Sequence, residues 1–94
     1  MTDSTAFSTI IRTAAGTELL LEQQDGRLFL TRKPGMAKPT GGYREERLPG
    51  DFEPLPLGKA PTVPNVGLPA KFHVIVGGET VKRITTPVTE VVAS

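Results

Sequence analysis

The sequence predicts an all-β protein: one small sandwich or partly open barrel of about six to eight short, mostly antiparallel strands. Three observations predict it. Two hairpin dipeptides, Asp25-Gly26 and Gly77-Gly78, interrupt segments of β-branched and alternating residues. Ten glycines and nine prolines in 94 residues disfavour helix interiors. Threonine and valine are plentiful, and both fit a pleated surface.

The first third reads as a meander over residues 7–33. Phe7 to Thr13 is a β-branched strand, Ala15-Gly16 a turn, and Thr17 to Gln23 a second strand. Within it, Glu18-Leu19-Leu20-Leu21-Glu22 has some helical character, but the run is short and bounded by turn residues, which favours a strand. Asp25-Gly26 suits a type I′ hairpin, because both central residues of that turn need positive φ. Arg27 to Lys33 completes the hairpin, with Leu28 and Leu30 on one face and Arg27, Phe29 and Thr31 on the other.

Residues 34–69 form a connector that holds eight of the nine prolines. Lys33 to Gly42 reads as a flexible loop. Tyr43 to Leu48 is predicted as a short polar strand, Pro49-Gly50-Asp51 as a turn, and Phe52 to Leu57 as an edge strand. In that edge strand Pro54 and Pro56 face the same way, and neither can donate to a ladder. Gly58 to Pro69 is expected to run extended over the surface.

Residues 70–93 return to regular pattern. Ala70 to Val76 alternates, with Phe72, Val74 and Val76 on one face. Gly77-Gly78 turns the chain into Glu79 to Thr85; Pro87 breaks that strand, and Val88 to Ala93 is a final short one. The two hairpin-rich ends are expected to pack face to face as a single domain over residues 1–94. The predicted core is Ile11, Leu19, Leu21, Leu28, Leu30, Phe52, Leu55, Phe72, Val74, Val76, Val81, Ile84 and Val91.

Composition excludes several chemistries. There is no cysteine, hence no disulfide, no thiol nucleophile and none of the usual structural zinc ligands; a reducing compartment is expected. Serines occur only at 4, 8 and 94, and the single histidine, His73, alternates with Phe72 and Val74 and so turns away from the core. Glu45 and Glu46 are adjacent and diverge on a strand; Asp51 and Glu53 share a face, but read as a solvated rim. The Gly35 to Gly42 segment lacks Walker order, and Pro61-Thr62-Val63-Pro64 lacks the basic neighbour of a polyproline ligand. No catalytic residue, metal site or cofactor site is expected. The polar start and the lack of a long apolar run predict neither a signal peptide nor a membrane span.

Partner binding is what remains. Arg27, Arg32, Lys33, Lys38, Arg44 and Arg47 concentrate in one third of the chain, with Phe29 and Tyr43 among them. A small barrel binding single-stranded nucleic acid is therefore an alternative, although Asp25, Glu45 and Glu46 interrupt the cluster and the net charge is only +1. The residues expected at a partner interface are Phe52, Leu55, Tyr43, Arg44, Arg47, Lys33 and Lys38.

Three stretches carry a family resemblance. They are Ile11-Arg12-Thr13-Ala14-Ala15-Gly16-Thr17-Glu18, then Arg44-Glu45-Glu46-Arg47 through Phe52-Glu53-Pro54-Leu55, and finally Arg83-Ile84-Thr85-Thr86-Pro87-Val88-Thr89-Glu90-Val91-Val92. Together they resemble small β-rich proteins of actinobacterial phages and actinobacteria, from which the 33–42 loop departs. The resemblance carries over no functional residue. It implies a phage protein and nothing finer. The favoured reading is a non-enzymatic module working by protein–protein contact, as a virion accessory such as a capsid decoration or head–tail fitting, because a rigid cysteine-free sheet rich in Thr, Pro and Gly presents edges and loops to a lattice. The alternative is a host-takeover factor that binds and inhibits a bacterial protein. The expected partners are other copies of the chain, a capsid or tail protein, or a host protein. The expected location is the host cytoplasm, with incorporation into the virion.

Overall fold

A computed structural model describes residues 5–93 of the chain, with side chains from residue 8 onward. The predicted serine positions 4 and 94 lie outside the described residues. Six strands appear: β1 (Thr5–Thr13), β2 (Glu18–Gln24), β3 (Arg27–Lys33), β4 (Pro54–Pro56), β5 (Pro69–Val76) and β6 (Glu79–Ala93). They form one antiparallel sheet in the order β4-β3-β2-β1-β6-β5. A bridge between Leu57 and Val74 brings the two ends of that order together, so the sheet curls into a nearly closed barrel. No helix occurs among the described residues.

Both hairpins form where the dipeptides place them. Asp25 and Gly26 have φ of 51° and 78°, and Gly77 and Gly78 have 60° and 84°, the positive pair that a type I′ turn requires. Period-2 alternation then fills the interior. Ile11, Leu19, Leu21, Leu30, Ala70, Phe72, Val74 and Val88 make the buried core, with Leu55, Leu57 and Val76 packed on its edge.

The long last strand differs from expectation. Pro87 does not end it: β6 runs from Glu79 to Ala93, pairing with β5 up to Pro87 and with β1 from Val88 onward. A proline is tolerated there because the strand changes partners at that residue. The Pro87 carbonyl accepts from Ala14 N–H at 2.9 Å. Threonines repair the irregular ladders. The Thr85 hydroxyl accepts from the N–H of bulged Ala70 at 2.8 Å, and the Thr89 hydroxyl donates to the Arg12 carbonyl at 3.2 Å. Val88, absent from the predicted core, sits under this bend almost fully buried.

The connector also departs from expectation. Residues 43–48 form no strand, and the edge strand shortens to Pro54–Pro56. The 33–42 loop is docked rather than free: Met36 and Ala37 N–H donate to the Gly16 carbonyl, and Thr40 N–H donates to the Ala14 carbonyl at 2.7 Å. Four predicted core residues are exposed: Phe52 (54%), Ile84 (60%), and Val81 and Val91 (38% each), the last two on the inner face but near strand ends that leave them partly uncovered. Phe52 adopts φ of +67° as the chain swings into β4, which turns its ring outward. Ile84 stands opposite Lys71 on the outer face of β5–β6.

Candidate functional site

Three features meet at the end of the barrel where β1 turns into β2. The first is a cavity of about 270 Å³. It is lined by the buried Leu19, Leu30 and Phe72, the half-buried Leu55, and Thr13 and Thr17. Such a mouth exists because β1 and β2 stop there while β6 continues past them, leaving the inner face open on one side.

The second feature is a rim of arginines. Arg32, Arg44 and Arg83 line the mouth, together with Glu46. Arg32 lies on the inner face of β3 because it alternates with Leu28 and Leu30. One guanidinium nitrogen of Arg32 reaches both carboxylate oxygens of Asp51, at 2.9 and 2.8 Å, and Asp51 also accepts from Leu48 N–H at 2.8 Å. That pair is largely shielded from solvent. Arg83 is different. Its guanidinium donates to the Pro49 carbonyl at 2.6 Å, and among the described residues neither it nor Arg44 is paired with a carboxylate. Partial burial pushes the Arg83 pKa down; the positive charge of Arg32 adds to that, while Asp51 opposes it. Against Arg32, Arg44 and Arg83 stand Glu46 on the same rim and Asp51 on Arg32, so these five side chains carry a net charge of +1.

The third feature is a free strand edge. Val76 and Glu79 close a two-residue hairpin, so they and the pairs Val74–Val81 and Phe72–Arg83 exchange backbone hydrogen bonds. The backbone groups of the intervening Thr80, Lys82 and Ile84 then point away from β5. On that side β1 is reached only at Val88, and among the described residues no other backbone bonds to these three. The same parity turns His73 outward on β5, and there its carbonyl accepts from Gly58 N–H at 2.9 Å.

The predicted interface residues divide among these features. Arg44 and Leu55 line the cavity. Phe52 is exposed and does not line the cavity; its N–H donates to the Arg32 carbonyl at 2.8 Å. Lys33 is half-buried at the end of β3; Lys38, Tyr43 and Arg47 are exposed on the connector. The predicted edge is not the free one. Pro54 and Pro56 alternate with Leu55, which pairs with Leu30, so their donor-less nitrogens face the β5 seam. The chain closes that seam just beyond them, at Leu57 and Gly58.

The basic cluster of the sequence is also dispersed. Arg27 lies over the outward ring of Phe29, 5.8 Å from its centroid, while Arg32 is turned inward and held by Asp51. Glu45 serves structure: it accepts from the Thr17 hydroxyl at 3.1 Å and from Gly35 N–H. Sequence reasoning missed Arg83 and the β6 edge. The available signal was Arg83 at a position that alternates with Val81 on the inward face.

Among the described residues no group of three or more His, Asp or Glu side chains is placed to hold a metal ion, and no helix is long and apolar enough to cross a membrane. Compared with protein-family models, curated proteins and solved structures, the chain matches none.

Proposed function

We infer that the chain is a protein-binding module that receives an extended segment of its partner along β6. The observation that carries this reading is the backbone of Thr80, Lys82 and Ile84, which among the described residues pairs with no other strand, standing next to a cavity of mixed polar and apolar lining. Strand addition supplies main-chain hydrogen bonds to an edge, and a neighbouring pocket selects side chains. With the phage resemblance, the role proposed is that of a virion accessory protein, fixed to a capsid or tail protein through this edge. Dispersal of the basic cluster over opposite faces makes a nucleic-acid groove the weaker reading.

Mass spectrometry of purified particles from cells expressing the gene tests the placement. Recovery of the chain in fixed ratio to a capsid or tail protein is the expected result. Its absence from particles, with a stoichiometric host protein on the purified chain instead, overturns the virion role in favour of a host-directed one.

A further inference from the structure

We propose that the first occupant of the β6 edge is β6 of a second copy of this chain, paired antiparallel about Val81 so that Glu79 of each copy faces Arg83 of the other. The proposal rests on the strand-addition reading above and names the partner that the edge takes in the free protein.

The argument starts from parity. Thr80, Lys82 and Ile84 carry the outward backbone groups, while Glu79, Val81 and Arg83 use theirs on β5. A strand added here sets outward residues opposite outward residues, so β6 meets its own copy in twofold registers centred on Thr80, Val81, Lys82, Arg83 or Ile84. Centring on Lys82 or Arg83 sets that cation against itself, and like charges directly opposed are unfavourable. Centring on Ile84 runs the copy onto Thr86 and Pro87, where Ala15 and Ala14 N–H already bond. Centring on Thr80 brings no opposite charges together. Centring on Val81 sets Glu79 opposite Arg83 at both ends.

That register also uses what the edge leaves over. Thr80 of each copy faces Lys82 of the other, and the outward N–H and C=O groups of these pairs exchange main-chain hydrogen bonds. Val81, partly exposed on the inner face, meets Val81 of the second copy in a closely spaced pair. Glu79 is exposed and forms no ion pair among the described residues. The charge of Asp51 already favours the Arg83 cation, and Glu79 of the second copy adds to it. A twofold pairing closes at two copies and covers this edge in both, which removes a template for open-ended association. The segment of a virion partner then takes the edge by displacing the second copy.

The test is sedimentation of the full chain up to about millimolar concentration, since a contact of a few strand residues is small and therefore weak. Nitrogen-15 labelling gives amide spectra and hydrogen exchange on the same material. The expected result is a mass that rises from one chain to two, with shifts at the Thr80 and Lys82 amides. Glu79→Arg and Arg83→Glu should each weaken the dimer about tenfold or more, and the two together in one chain should restore it to within about threefold. Arg83→Glu also removes the bond to the Pro49 carbonyl, so recovery in the swapped chain is the decisive comparison. Lys82→Pro removes an outward donor and no β5 hydrogen bond, so it should abolish the dimer in a protein that still folds.

Each contrary outcome has a distinct meaning. A monomer at every concentration overturns the self-pairing. If its Thr80, Lys82 and Ile84 amides exchange fast, the edge is open to another chain and the strand-addition reading stands; slow exchange shows the edge already covered and overturns both. A dimer indifferent to Lys82→Pro uses another face and overturns the proposal. A dimer lost with Lys82→Pro but insensitive to the charge variants pairs in another register and overturns the one proposed.

Discussion

Gly16 has φ of +86°, and a Cβ on it would lie 2.1 Å from the Ala37 carbonyl oxygen. The docked loop and the β1–β2 turn thus touch backbone to backbone, which only glycine permits. Gly16→Ala should cost about 2–3 kcal/mol in urea unfolding, since the strain and the clash both require backbone movement. Asp51 shows the same dependence on tertiary context. Asp51→Asn leaves the Arg32 charge largely enclosed without its counterion, and a loss of about 2–3 kcal/mol in the same measurement is expected. Arg12 contrasts with it. It spans Glu18 at 3.4 Å and Glu90 at 2.6 Å on an exposed face, and the hydrogen bond to Glu90 is the main reason its pKa is raised. Arg12→Gln should leave the unfolding midpoint unchanged within error. The sequence marks Arg32 as one basic residue among several and Asp51 as a rim acid. Nothing local relates two residues nineteen positions apart, so their pairing is legible only once β3 and the turn before β4 are in place.

At the scale of elements, the turns were the most legible feature. Asp25-Gly26 and Gly77-Gly78 have few conformations compatible with flanking strands, so local chemistry decides them. Gly77 at φ of +60° has open space around its Cβ position. Gly77→Asn should therefore raise stability by about 0.5–1 kcal/mol, read as a higher melting temperature, because asparagine favours the first position of a type I′ turn and restricts the unfolded chain. Strand β6 was less legible. Pro87 reads locally as a break, yet the strand continues because the residues before and after it pair with different neighbours. Val88 belongs to this bend. Val88→Ala should cost about 2–3 kcal/mol, as a cavity opens where β1, β6 and the connector meet. The prolines of β4 were read correctly as donor-less, but only the closed sheet shows that they face the seam with β5.

Across the whole molecule, the first strand pairs with the last, and both are needed to complete the sheet. Such non-local pairing predicts folding on the order of milliseconds to seconds, measurable by stopped-flow refolding. A chain ending at Pro87 should fail to fold, visible as loss of the cooperative melting transition, because it removes Val88 and the partner of β1 together. The sequence by itself determined the all-β class, both hairpin turns and most of the core, since Ile11, Leu19, Leu21, Leu30, Phe72 and Val74 follow from alternation within single strands. Only the tertiary structure decided that Ile84 and Phe52 are exposed, that Arg32 points inward to Asp51, and that β6 rather than β4 offers a free edge. The physical reason is range. Turn preference and period-2 patterning act over a few residues, whereas an unpaired edge and an enclosed ion pair are defined by how distant segments meet.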